Sequence, residues 1–472
     1  MEARCLNRNI GEFSATYRAD RFLTKHFSGG TMDYRQIIAL IIPLLIDQTF
    51  LVCTNLFNTS MISSSGLEAV SAVNMVDSLN AFLLNIFIAV ATGGTVIVAQ
   101  YKGRGNSRDV PRAISGSVTA VLLIASSIAV AVILSAPAIL RWLFGTAERV
   151  VLDNARIYLI GSAVSYVFFG MMEAVSASLR GLGETRSSLV LTLTMHGIYV
   201  FLNVILIRVF SLGISGMVIS LISARVIAAM LSVFFLVRKK NLYRLRPSEI
   251  FRMDFPMLKR ALTLGFPFAA EQMFFNGGKI LTQTFVVGMG TLAIATNAIT
   301  GSVTSLFMIP ANTLALAIIT VVGQCIGNRD IDQARKAIRS FSILTSAAIL
   351  VMAALILPFM RNIVSIFGPT EEIIGDILLI TYINTAAQFL FWSVSFLVPA
   401  ALRAAGDARY TSVMSMLSMW LFRVVLGYIL GVVAGLGVPG VWFAMEAEWG
   451  VRGLIFLLRL RGNKWYRHKV ID

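Results

Sequence analysis

The chain is built from apolar stretches of about 20 residues or more, separated by short polar breaks, and that pattern leaves few folds open. A run of ~20 apolar residues makes a helix long enough to cross a ~30 Å hydrocarbon core. Lipid offers the backbone no hydrogen-bond partners, so each crossing segment must satisfy its own N–H and C=O groups as a helix. Charged residues are only 14% of the 472 residues and hydrophobic ones 57%, where a soluble domain usually carries nearer a quarter charged. The low charge therefore marks the bilayer as solvent rather than an unusually large soluble core. The expected fold class is an all-α polytopic membrane protein with twelve transmembrane helices. They fall over 36–61, 69–99, 111–138, 153–179, 187–209, 214–238, 259–288, 293–323, 334–358, 373–402, 410–433 and 438–460.

The net charge of +16 sits in the breaks between spans. Nucleic-acid binding would need it clustered on a soluble face, so no nucleic-acid partner is expected. On the side of the N-terminus the breaks hold 31 of the 40 Lys and Arg residues, and on the opposite side 5. The positive-inside rule then places both termini in the cytoplasm, with an even number of spans. The first 35 residues are polar and basic and lack the apolar core of a signal peptide; they read as a cytoplasmic tail, mobile until the first helix. Cys5, Cys53 and Cys325 have no spacing that suggests a metal site or disulfide framework.

The chain repeats itself. "PLLIDQTF" (Pro43–Phe50) and "PFAAEQMF" (Pro267–Phe274) lie 224 residues apart, and at that offset Gly66 matches Gly290, Gln100 matches Gln324 and Gly103 matches Gly327. "LRGLGETR" (Leu179–Arg186) matches "LRAAGDAR" (Leu402–Arg409) at an offset of 223. A six-helix repeat unit inserts twice with the same orientation, giving two parallel-related lobes about an axis along the membrane normal, a transporter architecture with its site near the midplane. The expected divisions are a tail 1–35, an N-lobe 36–238, a cytoplasmic linker 239–258, a C-lobe 259–460 and a C-terminal tail 461–472.

Each lobe carries one acid at the same place, Asp47 and Glu271, each four residues after a proline. Ten residues into its helix, each is ~15 Å deep, near the midplane. A charged carboxylate there costs ~2.5–3.5 kcal/mol on insertion scales. It must be protonated, paired or wetted, and such groups can trade protons near neutral pH. Pro43 and Pro267 each remove an amide hydrogen and free a carbonyl one turn from the acid, which makes them candidate helix hinges. Asp47 and Glu271 are the candidates for cation coupling or substrate binding. The further polar residues Gln48, Asn58, Asp77, Glu173, Asn203, Gln272, Asn276 and Lys279 are candidate cavity-lining positions. Asn58 is eleven residues after Asp47 and so shares its helix face. Glu448 and Arg452, four apart, can pair along one helix, and Arg423 can reach Glu446 across helices. His196 reads as an interior hydrogen-bonding residue. The basic loops have neither Walker nor Rossmann spacing, so an ion gradient rather than ATP is the expected energy source, with no cofactor beyond a proton or sodium ion.

Several motifs together resemble one family. "LRGLGETRSS" and "LRAAGDARYT" resemble the repeated signature of multidrug and toxic compound extrusion (MATE) transporters, and "ATGGTVIVAQYKGRGN", "EQMFFNGGKILTQTFVVGMGTLAIATNAI" and "MLSMWLFRVVLGYILG" look like a bacterial branch of it. The resemblance covers residues 36–465. It implies two six-helix lobes around a central cleft open in turn to each side of a bacterial plasma membrane. It also implies export of small, amphiphilic, often cationic organic compounds in exchange for protons or sodium ions, by a transporter rather than an enzyme. Beyond substrate and membrane lipid no partner is expected, and the chain is expected to work as a monomer. Many members of the family carry an acid where this chain has Asn58, and some carry one near Asn203; both are amides here. The alternative is a lipid-linked saccharide flippase of the same superfamily, which would want a cationic cavity for pyrophosphate.

Overall fold

The computed structural model describes residues 20–21, 23–62, 67–106, 108–144, 148–238, 254–468 and 470–471, with the backbone alone at 55–62, 67–68 and 70. Among them there is no β-strand. The N-lobe consists of α1 (Tyr34–Ile62), α2 (Leu67–Gly103), α3 (Asp109–Phe144), α4 (Arg149–Leu182), α5 (Thr185–Val209) and α6 (Gly213–Arg238). The C-lobe consists of α7 (Phe255–Gly288), α8 (Thr291–Phe307 and Ile309–Gly327), α9 (Ile331–Ser365), α10 (Glu371–Ala404), α11 (Ala408–Val433) and α12 (Gly437–Arg461). Most of the linker expected at 239–258 lies outside the described residues.

Ten helices are long and apolar enough to cross a membrane: α1 to α6, the second half of α8, and α9 to α11. The first half of α8 is apolar but only 17 residues long. α7 and α12 are long enough, at 34 and 25 residues, but carry more charge than a lipid-facing span. Lys259, Arg260, Glu271 and Lys279 lie on α7, and Glu446, Glu448 and Arg452 on α12. Of these, Glu446, Glu448 and Arg452 are buried in the C-lobe.

α7 begins at Phe255, four residues ahead of the expected start. Asp254 caps it by accepting the Met257 N–H at 3.2 Å, and Pro256 fits the first turn, where no amide is needed. Helix interiors are also interrupted at places other than Pro43 and Pro267. α8 breaks at Met308, just ahead of Pro310. α5, α10 and α11 each contain π-helical turns, the longest spanning Gln388–Leu397. Such turns shift side-chain phase and recur where a site must be shaped.

The lobes meet at the end of the molecule that carries both termini. There Gln100 of α2 donates to the Ala404 carbonyl at the end of α10 (2.8 Å), and Gln324 of α8 donates to the Gly181 carbonyl near the end of α4 (3.1 Å). The two contacts are the same contact made twice, because each donor and each acceptor has its counterpart in the other lobe. Backbones cross closely alongside them. A Cβ on Gly103 would stand 2.0 Å from the Gln324 carbonyl oxygen, and one on Gly327 2.0 Å from that of Gln100, so only glycine fits. Arg112 of α3 adds an ion pair to Asp254 at 2.7 Å. Towards the other end the lobes part: the main packing partners of Thr291–Phe307 all lie in the C-lobe.

The N-terminal tail is not loose up to α1. Gln333 of α9 accepts the Thr31 N–H at 2.7 Å and donates to the Met32 carbonyl at 2.7 Å, Lys336 donates to Ser28, and Phe27 meets the Phe341 ring edge-on. This stretch straps the N-lobe to α9. Near the other terminus Trp465 is wholly buried. The N-terminal strap uses partners about 300 positions away in the chain, which a local reading of a polar tail cannot find.

Candidate functional site

Between the lobes lies a cavity of about 410 Å³. Gln48 of α1 and Asn85 and Thr92 of α2 form its N-lobe wall. Glu271 and Gln272 of α7, Asn312 of α8, and Trp392, Phe396 and Arg403 of α10 form the other. The π-helical turn of α10 supplies Trp392 and Phe396, stacked at 5.1 Å. The structure thus brings Gln48, Glu271 and Gln272 together. Asn276 and Lys279 continue the same face of α7, four and seven residues beyond Gln272. Lys279 is exposed, its Nζ 4.9 Å above the Phe275 ring, and it forms no ion pair among the described residues.

The two acids have unequal surroundings. Arg403 Nη1 donates to both Glu271 carboxylate oxygens at 3.0 Å, and Ser412 Oγ donates to one of them at 2.9 Å. Arg180, the N-lobe counterpart of Arg403, is instead held by Glu173 of its own helix at 2.6 Å. The C-lobe has Phe396 where the N-lobe has Glu173, so Arg403 has no such rival for its charge. Asp47 is buried at 6% exposure, and its Oδ1 has no hydrogen-bond partner. Gln48 and Thr192 are its polar neighbours. An orphaned oxygen on a buried acid is costly unless a proton or another cation serves it. Arg180 and Arg403 were counted above among loop charges. They are helical, and their side chains fold back into the lobes at 13% and 19% exposure.

Pro43 lies inside α1, and the carbonyl its missing amide leaves free, that of Ala39, accepts a hydrogen bond from Thr185 Oγ1 at 3.3 Å. Pro267 lies inside α7 in the same way.

Asp77 belongs to a separate cavity of about 290 Å³ within the N-lobe, shared with Tyr158, His196, Tyr199 and Arg225. It accepts from Tyr158 at 2.8 Å and Asn80 at 3.4 Å. Arg225 donates to Ser165 at 2.6 Å and lies 4.9 Å over Phe169. Arg225 was not a candidate above; its signal was a lone arginine twelve residues into a span. Asn203 is buried with an unpartnered Oδ1. The side chain of Asn58 lies outside the described residues.

Behind the Phe396 wall of the cavity, Glu448 takes both Arg423 (2.8 Å) and Arg452 (2.7 Å), and Arg452 lies 4.3 Å over the Phe396 ring. The α12 pair expected between Glu448 and Arg452 is present. The pair expected between Arg423 and Glu446 is not, because Glu448 occupies Arg423 and the Glu446 carboxyl sits beside Asn384. Among the described residues no three His, Cys, Asp or Glu side chains gather as a metal site.

The family model MatE matches residues 43–206 and 267–429, one copy per lobe, each starting at the proline inside the lobe's first helix. The uncharacterized transporter YisQ of Bacillus subtilis is 24% identical over 437 residues, 91% of this chain and 94% of its own. The probable multidrug resistance protein NorM of Thermotoga maritima is 25% identical over 93% of this chain and 94% of its own. Among solved structures, a MATE protein in the bent conformation superposes with a TM-score of 0.83 at 18% identity, covering 90% of this chain and 94% of its own. A MATE transporter in an outward-facing conformation scores 0.81 at 18% identity, with the same coverage of both chains.

Proposed function

The chain belongs to the MatE family of multidrug efflux transporters, and from that membership we propose that it is a secondary active antiporter. It exports small amphiphilic organic compounds from a bacterial cytoplasmic membrane in exchange for a cation that binds at Asp47. The observation that carries this reading is the asymmetry of the two acids: Glu271 is neutralised by Arg403, whereas Asp47 keeps an unpartnered oxygen. The proton is the better fit to Asp47, because one carboxylate beside Gln48 and Thr192 lacks the cage of oxygens that hard cations take.

Alternating access follows from the lobes. With both termini in the cytoplasm, as the distribution of Lys and Arg favours, the reciprocal Gln100 and Gln324 contacts close the inner end, and the 410 Å³ cavity between the lobes is then served from outside. Protonation of Asp47 from outside would remove a buried charge and favour return of the lobes; release inside would complete the exchange. Lobe motion about Pro43 is consistent with the Ala39 carbonyl being held by a side chain rather than by its own helix. The lipid-linked saccharide alternative is disfavoured by the ties on the C-lobe arginines. Arg403 is bound to Glu271, and Arg423 and Arg452 to Glu448, so none of them is free for pyrophosphate.

The test is flux in proteoliposomes with a fluorescent organic substrate, under a proton gradient or a sodium gradient imposed separately. The wild-type chain is expected to respond to the proton gradient and Asp47→Asn to lose that response. Unchanged gradient-driven flux in Asp47→Asn, at normal yield, would remove Asp47 from the mechanism.

A further inference from the structure

At the start of α7 two cavities meet and share Lys259 and Thr263. One is an apolar groove of about 800 Å³ on the flank of the molecule. Ile86 of α2, Ile124 and Ile128 of α3, and Phe266 and Met273 of α7 line it. Phe266 is 71% exposed. The other is a basic pocket of about 580 Å³ at the end carrying the termini, lined by Lys259, Arg260, Arg409 and His468 together with Asp407. Asp407, its one acid, is already taken by Arg459 at 2.7 Å and His468 at 3.1 Å. Arg260 donates to Tyr101 at 2.6 Å. Lys259 and Arg409 are exposed and pair with no acid among the described residues.

We propose that an anionic phospholipid docks in this seam, with its acyl chains in the apolar groove and its phosphate on Lys259 and Arg409. The dimensions fit. From Lys259 to Met273 is fourteen residues of helix, ~21 Å, half of a bilayer ~40–45 Å thick with its headgroups. The charge fits as well, because unpaired cations stand at one end only and hydrocarbon-lined wall fills the rest. The leaflet next to the termini, cytoplasmic by the charge count, is the one rich in anionic lipid, and basic pockets between helices there hold such headgroups. The groove is walled by α2 and α3 of one lobe and α7 of the other, so its occupant touches both moving parts. A lipid seated there braces the lobes in the arrangement that closes the terminal end.

Native mass spectrometry of the full chain in detergent tests this, with phosphatidylglycerol and phosphatidylcholine of matched acyl chains added together. The wild type is expected to retain phosphatidylglycerol in preference. Lys259→Gln and Arg409→Gln should each lower that preference by about fivefold, as expected for one basic residue at an anionic headgroup. Arg104→Gln, exposed on the same end, should leave it unchanged. Phe266→Ser should lower total lipid retention while keeping the headgroup preference. All four positions are exposed, so monodisperse elution of each variant is expected and is checked first. Equal retention of the two lipids, or a preference untouched in the Lys259 and Arg409 variants, would overturn the proposal. So would glycerol 3-phosphate displacing phosphatidylglycerol at equal concentration, since the site would then read the anion without its chains.

Discussion

Asp47 and Glu271 start as equivalents, each four residues after a proline on the first helix of its lobe. What separates them is a third residue, Glu173, which holds Arg180 and leaves one Asp47 oxygen without a partner while Arg403 clamps Glu271. Substitutions should separate the two roles. Asp47→Asn is expected to remove coupling at unchanged thermal stability, since it deletes an orphan rather than a pair. Glu271→Gln should lower stability by about 1.5–3 kcal/mol, the worth of hydrogen bonds to a charged group, read as a fall in detergent melting temperature. Glu448→Gln should cost more, about 3–5 kcal/mol, because it strands Arg423 and Arg452, which pair with no other acid among the described residues. Lys279 is the exposed charge on the α7 face that continues from the cavity. A cation ~4 Å from it meets ~1 kcal/mol of repulsion even at the dielectric of water. Lys279→Gln should therefore lower the KM for a permanently charged organic cation by about fivefold; an unchanged KM would place the path of such substrates elsewhere.

At the scale of helices, the closed end depends on two glycines that allow two backbones to cross. Gly103→Ala and Gly327→Ala each push a methyl to 2.0 Å from a carbonyl oxygen, closer than real Cβ contacts allow, so α2 and α8 must separate. Either variant is expected to favour opening of the terminal end, visible as faster labelling of a cysteine placed at Gln100 or Gln324. The matched positions were legible in the sequence, as Gln100 with Gln324 and Gly103 with Gly327. That each glutamine reaches across to the other lobe was not, because a repeat identifies equivalent residues and says nothing of which surfaces touch. The break at Met308 had a signal in Pro310, but the π-helical turns of α5, α10 and α11 were hidden. Their residues keep the apolar composition of a plain span, and only packing selects the wider turn.

For the whole molecule, lobes tied together at the terminal end make a prediction about access. Ser78 of α2 and Asn276 of α7 lie on the faces that continue outward from Asn85 and Gln272, which line the cavity. In a background with Cys5 and Cys53 replaced, the buried Cys325 being kept, cysteines at these two positions should react with an impermeant maleimide from outside the cell. A cysteine at Gln100 should not. The reverse pattern would mean that the termini lie outside.

Apolar run length, the placement of Lys and Arg, and the duplicated motifs determined a twelve-helix, two-lobed membrane transporter, because lipid leaves the backbone one way to satisfy itself and a repeat inserted twice forms two like units. Those same features singled out Asp47 and Glu271. Only the tertiary structure decided which acid is free. That choice depends on where the arginines at the ends of α4 and α10 send their side chains. A long side chain at a helix end can reach water or fold inward, and the nearest unpaired carboxylate settles the direction: Glu173, seven residues back on α4 itself, for Arg180, and Glu271 of α7 for Arg403.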